Sequence, residues 1–300
     1  MSQKKSNSLI RTGLKCNHKC LFCTYGNREI KEMSTGEVKE RIDRVSDKGT
    51  EMIDFTGGEP IIRKDIVEII KHANQKSFIR IGLQTNGVRF ADKYFLNDLI
   101  KAGLNFVSIS FHSHLKNKYN KITQTENYEQ ALSALKNLSD SGIKFCVSHV
   151  VNKMNYRDIL DFIDFISNYN VEHLYFGFIR PNGRTLENKW IVPRLEDVES
   201  YVNKGMELSL EKNIDFYFDA LPFCYMEKYY KKSSDYYRKN DLLKEVRIDS
   251  SRELSDYDNM NSVKKVKSEQ CKKCKLDEDC PGIWKEYAEI YGVKELKPVK

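Results

Sequence analysis

The chain has 300 residues, 40% of them hydrophobic and 31% charged, with six prolines, an ordinary composition for a folded protein. No apolar run approaches membrane-spanning length, and Met1-Ser2-Gln3-Lys4-Lys5-Ser6 lacks the apolar core of a signal peptide, so a cytoplasmic protein without membrane contact is expected. The net charge of +7, from 50 Lys and Arg against 43 Asp and Glu, is interleaved as in Lys39-Glu40-Arg41; it permits an acidic partner but does not argue for nucleic acid.

That length suits one large α/β barrel-type domain with a small appendage. Residues 8–14 read as a first strand that runs into Cys16-Asn17-His18-Lys19-Cys20-Leu21-Phe22-Cys23. Three thiolates in eight residues hold zinc, copper or an iron–sulfur cluster. No fourth cysteine follows until Cys146, so the site has one position left open for chemistry.

Ser34-Thr35-Gly36-Glu37 is a capping box, and Val38, Ile42 and Val45 form the helical stripe behind it. A second strand covers 52–55 and ends at Phe55-Thr56-Gly57-Gly58-Glu59-Pro60, where two glycines permit close approach of a ligand and Glu59 suits an ammonium group. Further strands at 78–83, 105–111, 143–151 and 173–179 alternate with helices carrying Leu96 and Leu99, Leu135 and Leu138, Phe162 and Ile166, and Val198 and Val202. Strict β-α alternation predicts parallel strands with right-handed crossovers, and six units predict an open, partial (β/α)6 TIM-type barrel with its site at the carboxyl ends of the strands.

From about residue 220 the periodicity fades; Tyr229-Tyr230-Lys231-Lys232-Ser233-Ser234 and 249–269 read as loop or irregular sheet. The last part carries Cys271, Cys274 and Cys280 and then a short helical stripe. The expected division is a barrel over 1–212 and a smaller cysteine-rich module over 213–300. Eight cysteines, six of them in two groups of three, indicate metal or redox chemistry rather than disulfides in a reducing compartment.

The C-x3-C-x2-C run followed by Gly57-Gly58-Glu59-Pro60 resembles the radical SAM superfamily, over roughly residues 7–210. The resemblance implies that Cys16, Cys20 and Cys23 bind a [4Fe–4S] cluster whose fourth iron takes S-adenosylmethionine (SAM). Reductive cleavage of SAM would then give a 5′-deoxyadenosyl radical for hydrogen abstraction. It places Phe22 beside the adenine, Gly57, Gly58 and Glu59 on the methionyl amino group, and Thr85-Asn86-Gly87 and Ser110 beside the ligand. Ser110-Phe111-His112-Ser113 departs from the family's Ser-x-Asp-Gly, and Arg180-Pro181-Asn182-Gly183 would border the adenine.

The second group, Cys271-x2-Cys274-x5-Cys280, resembles the auxiliary-cluster region of SPASM and twitch domains. It implies a second [4Fe–4S] cluster of the twitch kind. Cys224 is either its fourth ligand or a hydrogen donor to substrate. The implied partners are SAM, a peptide or small-molecule substrate, and an electron donor such as flavodoxin or ferredoxin. A ribosomally made peptide is the expected substrate, with cofactor, antibiotic or tRNA-nucleoside biosynthesis as the alternative.

Other assignments stay open on the residues alone. Zinc is the rival at both cysteine groups, with His18 as a further ligand at the first; a non-catalytic zinc- or cluster-binding module is the corresponding second alternative. Cys146 reads as a core residue, His112, His114 and His149 as loop or packed histidines, and Tyr25 as compositional.

Overall fold

The computed structural model describes residues 5–26, 28–240, 243–248, 253–254 and 264–300. The opening 1–4 and most of the polar stretch read as loop, 249–252 and 255–263, lie outside the described residues.

Seven strands, β1 (Lys5–Arg11), β2 (Met52–Thr56), β3 (Arg80–Thr85), β4 (Phe106–Ser110), β5 (Lys144–Val151), β6 (His173–Phe178) and β7 (Asp215–Asp219), pair in parallel, each with its neighbour in sequence. An eighth, β8 (Leu243–Ile248), adds in parallel to the free edge of β1, and the two-residue β9 (Glu253–Leu254) pairs antiparallel to it. The result is the expected α/β partial barrel, a curled parallel sheet, with two parallel strands more than the six read from the sequence. β7 alternates buried Phe216 and Phe218 with Asp215, Tyr217 and Asp219 and extends the sheet past residue 212.

The crossover helices form where their stripes predict. In α1 (Thr35–Asp47) both halves of the capping box are made: the Glu37 N–H donates to Ser34 Oγ at 3.2 Å and the Ser34 N–H to Glu37 Oε2 at 2.7 Å. The stripes of α2 (Ile66–Asn74), α3 (Lys93–Ala102), α5 (Tyr128–Ser141), α6 (Ile159–Ile166) and α7 (Leu195–Glu211) pack in the same apolar core as the strands. Each fully buried Leu, Ile or Phe contributes about 1.5–3 kcal/mol by area removed from water, so the four buried residues of α6 hold it firmly to the sheet. A short helix the sequence did not announce, α4 (Lys116–Thr123), stands beside the cysteine loop.

Beyond β7 come α8 (Ser234–Lys239), a hairpin of β10 (Lys265–Val266) and β11 (Ile283–Trp284), and α9 (Lys285–Tyr291). Trp284, Tyr287 and Leu296 join the barrel's own core, so this module packs directly on the sheet end. Among the described residues no helix is long and apolar enough to cross a membrane.

Candidate active site

Parallel strands put all their carboxyl ends on one rim, and there the cysteine loop is stitched down. It leaves β1 through the Thr12 N–H, which donates to the Thr56 carbonyl at 3.0 Å. The Gly58 N–H donates to the Gly13 carbonyl at 2.9 Å and the Glu59 N–H to the Lys15 carbonyl at 2.8 Å. A Cβ at Gly57, whose φ is +140°, would lie 2.2 Å from the Gly13 oxygen, and one at Gly58 2.2 Å from the Lys15 oxygen. The close approach that these glycines allow is thus taken by the backbone leading into the cysteines. Glu32 Oε1 accepts from the Leu14 and Lys15 N–H groups at 2.6 and 2.9 Å.

The far side of the loop uses α4. Its last carbonyls, which no helical N–H reaches, accept from the loop: Lys19 N–H to Thr123 and Leu21 N–H to Ile122, each at 3.0 Å. Asn86 Nδ2 donates to Asn17 Oδ1 at 2.7 Å, and the Arg184 N–H to the Cys23 carbonyl at 3.0 Å. Arg184 also sets its guanidinium against Gly26, donating to that carbonyl at 3.4 Å. Tyr25 is stacked upon by Arg11, whose Cζ is 4.1 Å from the ring centroid, and by Arg28 at 5.3 Å.

Cys16 is exposed and Cys20 and Cys23 are half-buried. Although Cys16 is exposed as a residue, desolvation by the loop around its sulfur pushes the thiol up to about 11; the His18 N–H pulls it down, Glu59 and Cys23 push it further up, and Arg184 draws it back. Cys20 is raised by burial first and then by Cys23 and Cys16. Cys16 and Cys20, whose ionisation is opposed in this way, need a cationic guest to become thiolates, and a metal supplies that charge. The donor set fits a three-cysteine cluster.

Glu59 is 3% exposed. Its Oε1 accepts from Thr85 Oγ1 at 2.5 Å and the Ile61 N–H at 3.2 Å, and its Oε2 from the Asn86 N–H at 2.6 Å. Burial raises the carboxyl to about 7 against the pull of those three donors. A carboxylate has about four acceptor positions, so about one remains for a ligand ammonium. Thr85 and Asn86 are buried around it, and Ser110 is half-buried at the end of β4, paired with Ser148. Phe22 meets the buried His112 edge-on, ring centroids 4.7 Å apart. The ring of His18 lies edge-on to Tyr119 at 6.3 Å and is 5% exposed, as a packed spacer is.

The Radical SAM superfamily model matches residues 10–166. The chain belongs to the radical SAM superfamily. Membership implies an enzyme that uses a [4Fe–4S] cluster and SAM. Among curated relatives, Fe-coproporphyrin III synthase of Methanosarcina barkeri is 31% identical over 174 residues, 57% of this chain and 43% of that protein. A probable GTP 3′,8-cyclase of Saccharolobus islandicus is 26% identical over 202 residues, 66% of this chain and 64% of that one. The chain therefore spans between about two fifths and two thirds of the length of these relatives. Among solved structures, Streptococcus suis SuiB bound to SAM superposes over 97% of this chain and 76% of its own, with a TM-score of 0.69 at 16% identity. SuiB bound to its precursor peptide SuiA covers 97% and 74%, with a TM-score of 0.71 at 14% identity.

A second group of thiols sits outside the radical SAM match. Cys224, Cys271, Cys274 and Cys280 line one pocket of about 300 Å³, open to solvent, with Pro222, Leu276 and Leu296. Burial first, then the neighbouring thiols, pushes Cys224 up to about 12. Every one of the four sulfurs has a hydrogen-bond partner. Cys274 accepts from the Leu276 and Val299 N–H groups at 3.4 and 3.3 Å, and Cys280 from the Phe223 N–H at 3.5 Å and from Gly282. Cys224 accepts from the Lys297 N–H, and Cys271 lies 3.4 Å from Ser268 Oγ.

Sequence reasoning found the thiols at both places but missed Asn17, Arg184, Lys297 and Val299. Only Arg184, a base just after a Pro-Asn-Gly turn, left a local signal. Cys146 is a 4% exposed core residue, and His149 is packed against Phe162 with ring centroids 4.2 Å apart.

Proposed function

We propose that this enzyme modifies a peptide substrate by radical chemistry and holds a second, auxiliary [4Fe–4S] cluster of the twitch kind. In this reading the chain has two domains, a barrel and a cysteine-rich module, and β7 and β8, which lie after residue 212, belong to the barrel sheet. Cys16, Cys20 and Cys23 carry the first cluster. When bound, cluster and SAM together supply a 5′-deoxyadenosyl radical that takes a hydrogen atom from the substrate, using an electron from a donor such as flavodoxin or ferredoxin.

The chain's own residues orient SAM: Phe22 faces the adenine, Ser110 the ribose or carboxylate, and Gly57, Gly58 and the one uncommitted position of Glu59 the ammonium. Thr85 and Asn86 hold Glu59 in place. Cys224, Cys271, Cys274 and Cys280 hold the second cluster with all four positions filled. Cys224 is thereby a ligand and not a hydrogen donor. The observation that carries this is the convergence of four thiols, from two separate stretches of chain, on one pocket with a hydrogen-bond partner for each sulfur. Hydrogen bonds to sulfur favour a thiolate ligand set. The peptide assignment is supported by the fold it shares, over 97% of its length, with a protein solved on a precursor peptide.

Anaerobically reconstituted protein is expected to contain about eight irons. The Cys16→Ala/Cys20→Ala/Cys23→Ala variant is expected to lose SAM cleavage and keep roughly four irons. Colourless protein that binds only zinc, or 5′-deoxyadenosine from the triple variant, would overturn the reading. Stimulation of SAM cleavage by GTP, and not by a short peptide encoded beside its gene, would shift the substrate class to cofactor synthesis, which the names of the sequence relatives favour.

A further inference from the structure

The segment 295–299 lies over the second thiol pocket, and its sequence, Glu295-Leu296-Lys297-Pro298-Val299, contains no metal-binding residue of the cysteine or histidine kind. Two of its backbone N–H groups nevertheless point at sulfur: that of Lys297 at Cys224, and that of Val299 at Cys274, at 3.3 Å. These two sulfurs belong to parts of the chain 50 residues apart by number, so one short segment adds a second tie between stretches that the Phe223 N–H joins at Cys280. Between the two donors stands Pro298, which has no N–H, so the position that does not face a sulfur forgoes a donor.

The segment is anchored on every residue that contributes. The Glu295 carboxylate is 2.7 Å from Arg194 Nε and accepts from the Tyr287 hydroxyl, and its carbonyl accepts from the Tyr225 hydroxyl at 2.7 Å. Leu296 is 2% exposed. Lys297 Nζ reaches the Glu199 oxygens at 2.6 and 2.7 Å. The Val299 carbonyl accepts from the Lys275 N–H at 3.0 Å, and its side chain, 7% exposed, packs with Phe223 and Leu276. Anchors on α7, α9 and the cysteine turn hold two N–H groups where they meet sulfur.

We propose that the segment 295–299 is a clamp on the second cysteine site, positioning Cys224 and Cys274 and raising the reduction potential of the cluster they hold through two N–H···S hydrogen bonds. It rests on the reading of that site as an iron–sulfur centre. Hydrogen bonds to a cluster's sulfurs withdraw electron density and make the reduced state more favourable, and partners beyond the ligands orient them. Lys297 and Val299 are positioning residues.

The test uses the full chain carrying Cys16→Ala/Cys20→Ala/Cys23→Ala, in which only the second centre reports. Val299→Pro removes one N–H, whereas Val299→Ala removes packing and keeps it. Redox titration followed by electron paramagnetic resonance is expected to show a more negative potential for Val299→Pro and the parent potential for Val299→Ala. Equal potentials in all three would overturn the clamp, as would an equal shift in both variants, which would assign the effect to packing. Should Val299→Pro not fold, Glu295→Gln weakens the anchor without touching a donor. Its iron is expected to pass to a chelator faster than the parent's, and an unchanged rate would overturn the clamp. A parent that holds zinc and no iron would defeat the underlying reading instead, and the two failures are told apart by that metal analysis.

Discussion

At Gly57 a single hydrogen atom decides whether the cysteine loop can lie down. A methyl group there would enter the space of the Gly13 oxygen, 2.2 Å away, and would also have to adopt a φ of +140°. Gly57→Ala is expected to cost about 2–5 kcal/mol, the sum of backbone strain and overpacking, and to lose iron from the first site; urea unfolding and iron analysis measure both. His149 makes a different demand. Burial pushes it down to about 3 from its ordinary 6.5, so in the folded chain it stays neutral where the unfolded chain takes a proton. Between those values the unfolded state binds more protons, and stability falls as pH drops from about 6.5, by up to ~1.4 kcal/mol per unit. His149→Phe is expected to reduce the loss between pH 7 and pH 5 by about 2 kcal/mol in urea titrations of the metal-free protein. An identical pH dependence in parent and variant would exclude His149 as a source. The thiols, the two glycines and Glu59 were legible because each is a chemical type in a short pattern. Arg184, Val299 and Lys297 were not, because two of them act through backbone N–H groups that any residue but proline possesses.

Among the elements, six strands and their helices could be read because each repeats an apolar period and three of the helices, α1, α3 and α5, stop at or beside a glycine. β8 could not, since its partner β1 lies more than 200 residues away and Leu243-Lys244-Glu245-Val246-Arg247-Ile248 carries charge at three of its six places, two of them adjacent, which breaks an alternating pattern. α4 has a polar sequence and no side-chain cap, and it earned its helix from the packing of Tyr119 and Ile122 and from the loop that satisfies its carbonyls. The centre of the sheet contains a further device that a charge in a strand hinted at. Asp54 of β2 is 4% exposed, accepts from Asn7 Nδ2 of β1 at 2.9 Å and pairs with Arg80 of β3 at 2.5 Å. Three adjacent strands are thereby joined on one carboxylate, and Gly82 leaves room for it, since a Cβ there would lie 1.8 Å from Asp54 Oδ1. Asp54→Ala strands a buried amide and a partly buried guanidinium and is expected to cost about 3 kcal/mol. Asp54→Asn, which retains an acceptor, is expected to cost less. Equal stability of both variants and the parent in urea would show that the carboxylate contributes nothing to joining the strands.

Over the whole molecule, the barrel and the second module are joined by a run of charges, buried at its middle and half-buried at its ends. Asp219, at the carboxyl end of β7, accepts from Ser234 and pairs with Arg238 at 3.1 Å. Arg238 lies 3.6 Å from Asp235, and Asp235 pairs with Lys265 of the hairpin at 2.5 Å. Lys265 Nζ stands 4.6 Å from the Trp284 ring, on which Arg180, just beyond β6, sets its guanidinium at 3.9 Å while pairing with Glu286 at 3.1 Å. The run therefore begins at the end of β7, passes through the module, and returns to the barrel at the loop after β6. The Lys265 side chain is 1% exposed, so its ammonium cannot be replaced by water at the surface. Removing it leaves Asp235 buried with, among the described residues, the 3.6 Å contact to Arg238 as its ion pair, and an uncompensated buried charge costs about 3–5 kcal/mol. Lys265→Ala is expected to loosen the module from the sheet end: urea stability falls by that amount, and the second site loses its iron, about four atoms, while the first retains its own. Lys265→Met fills the space without the charge and still strands Asp235, so it is expected to fall between the two. Adding Asp235→Asn to Lys265→Met removes the stranded charge and is expected to restore most of the stability. If the double variant is no more stable than Lys265→Met, the loss comes from packing around Trp284 and not from the ion pair.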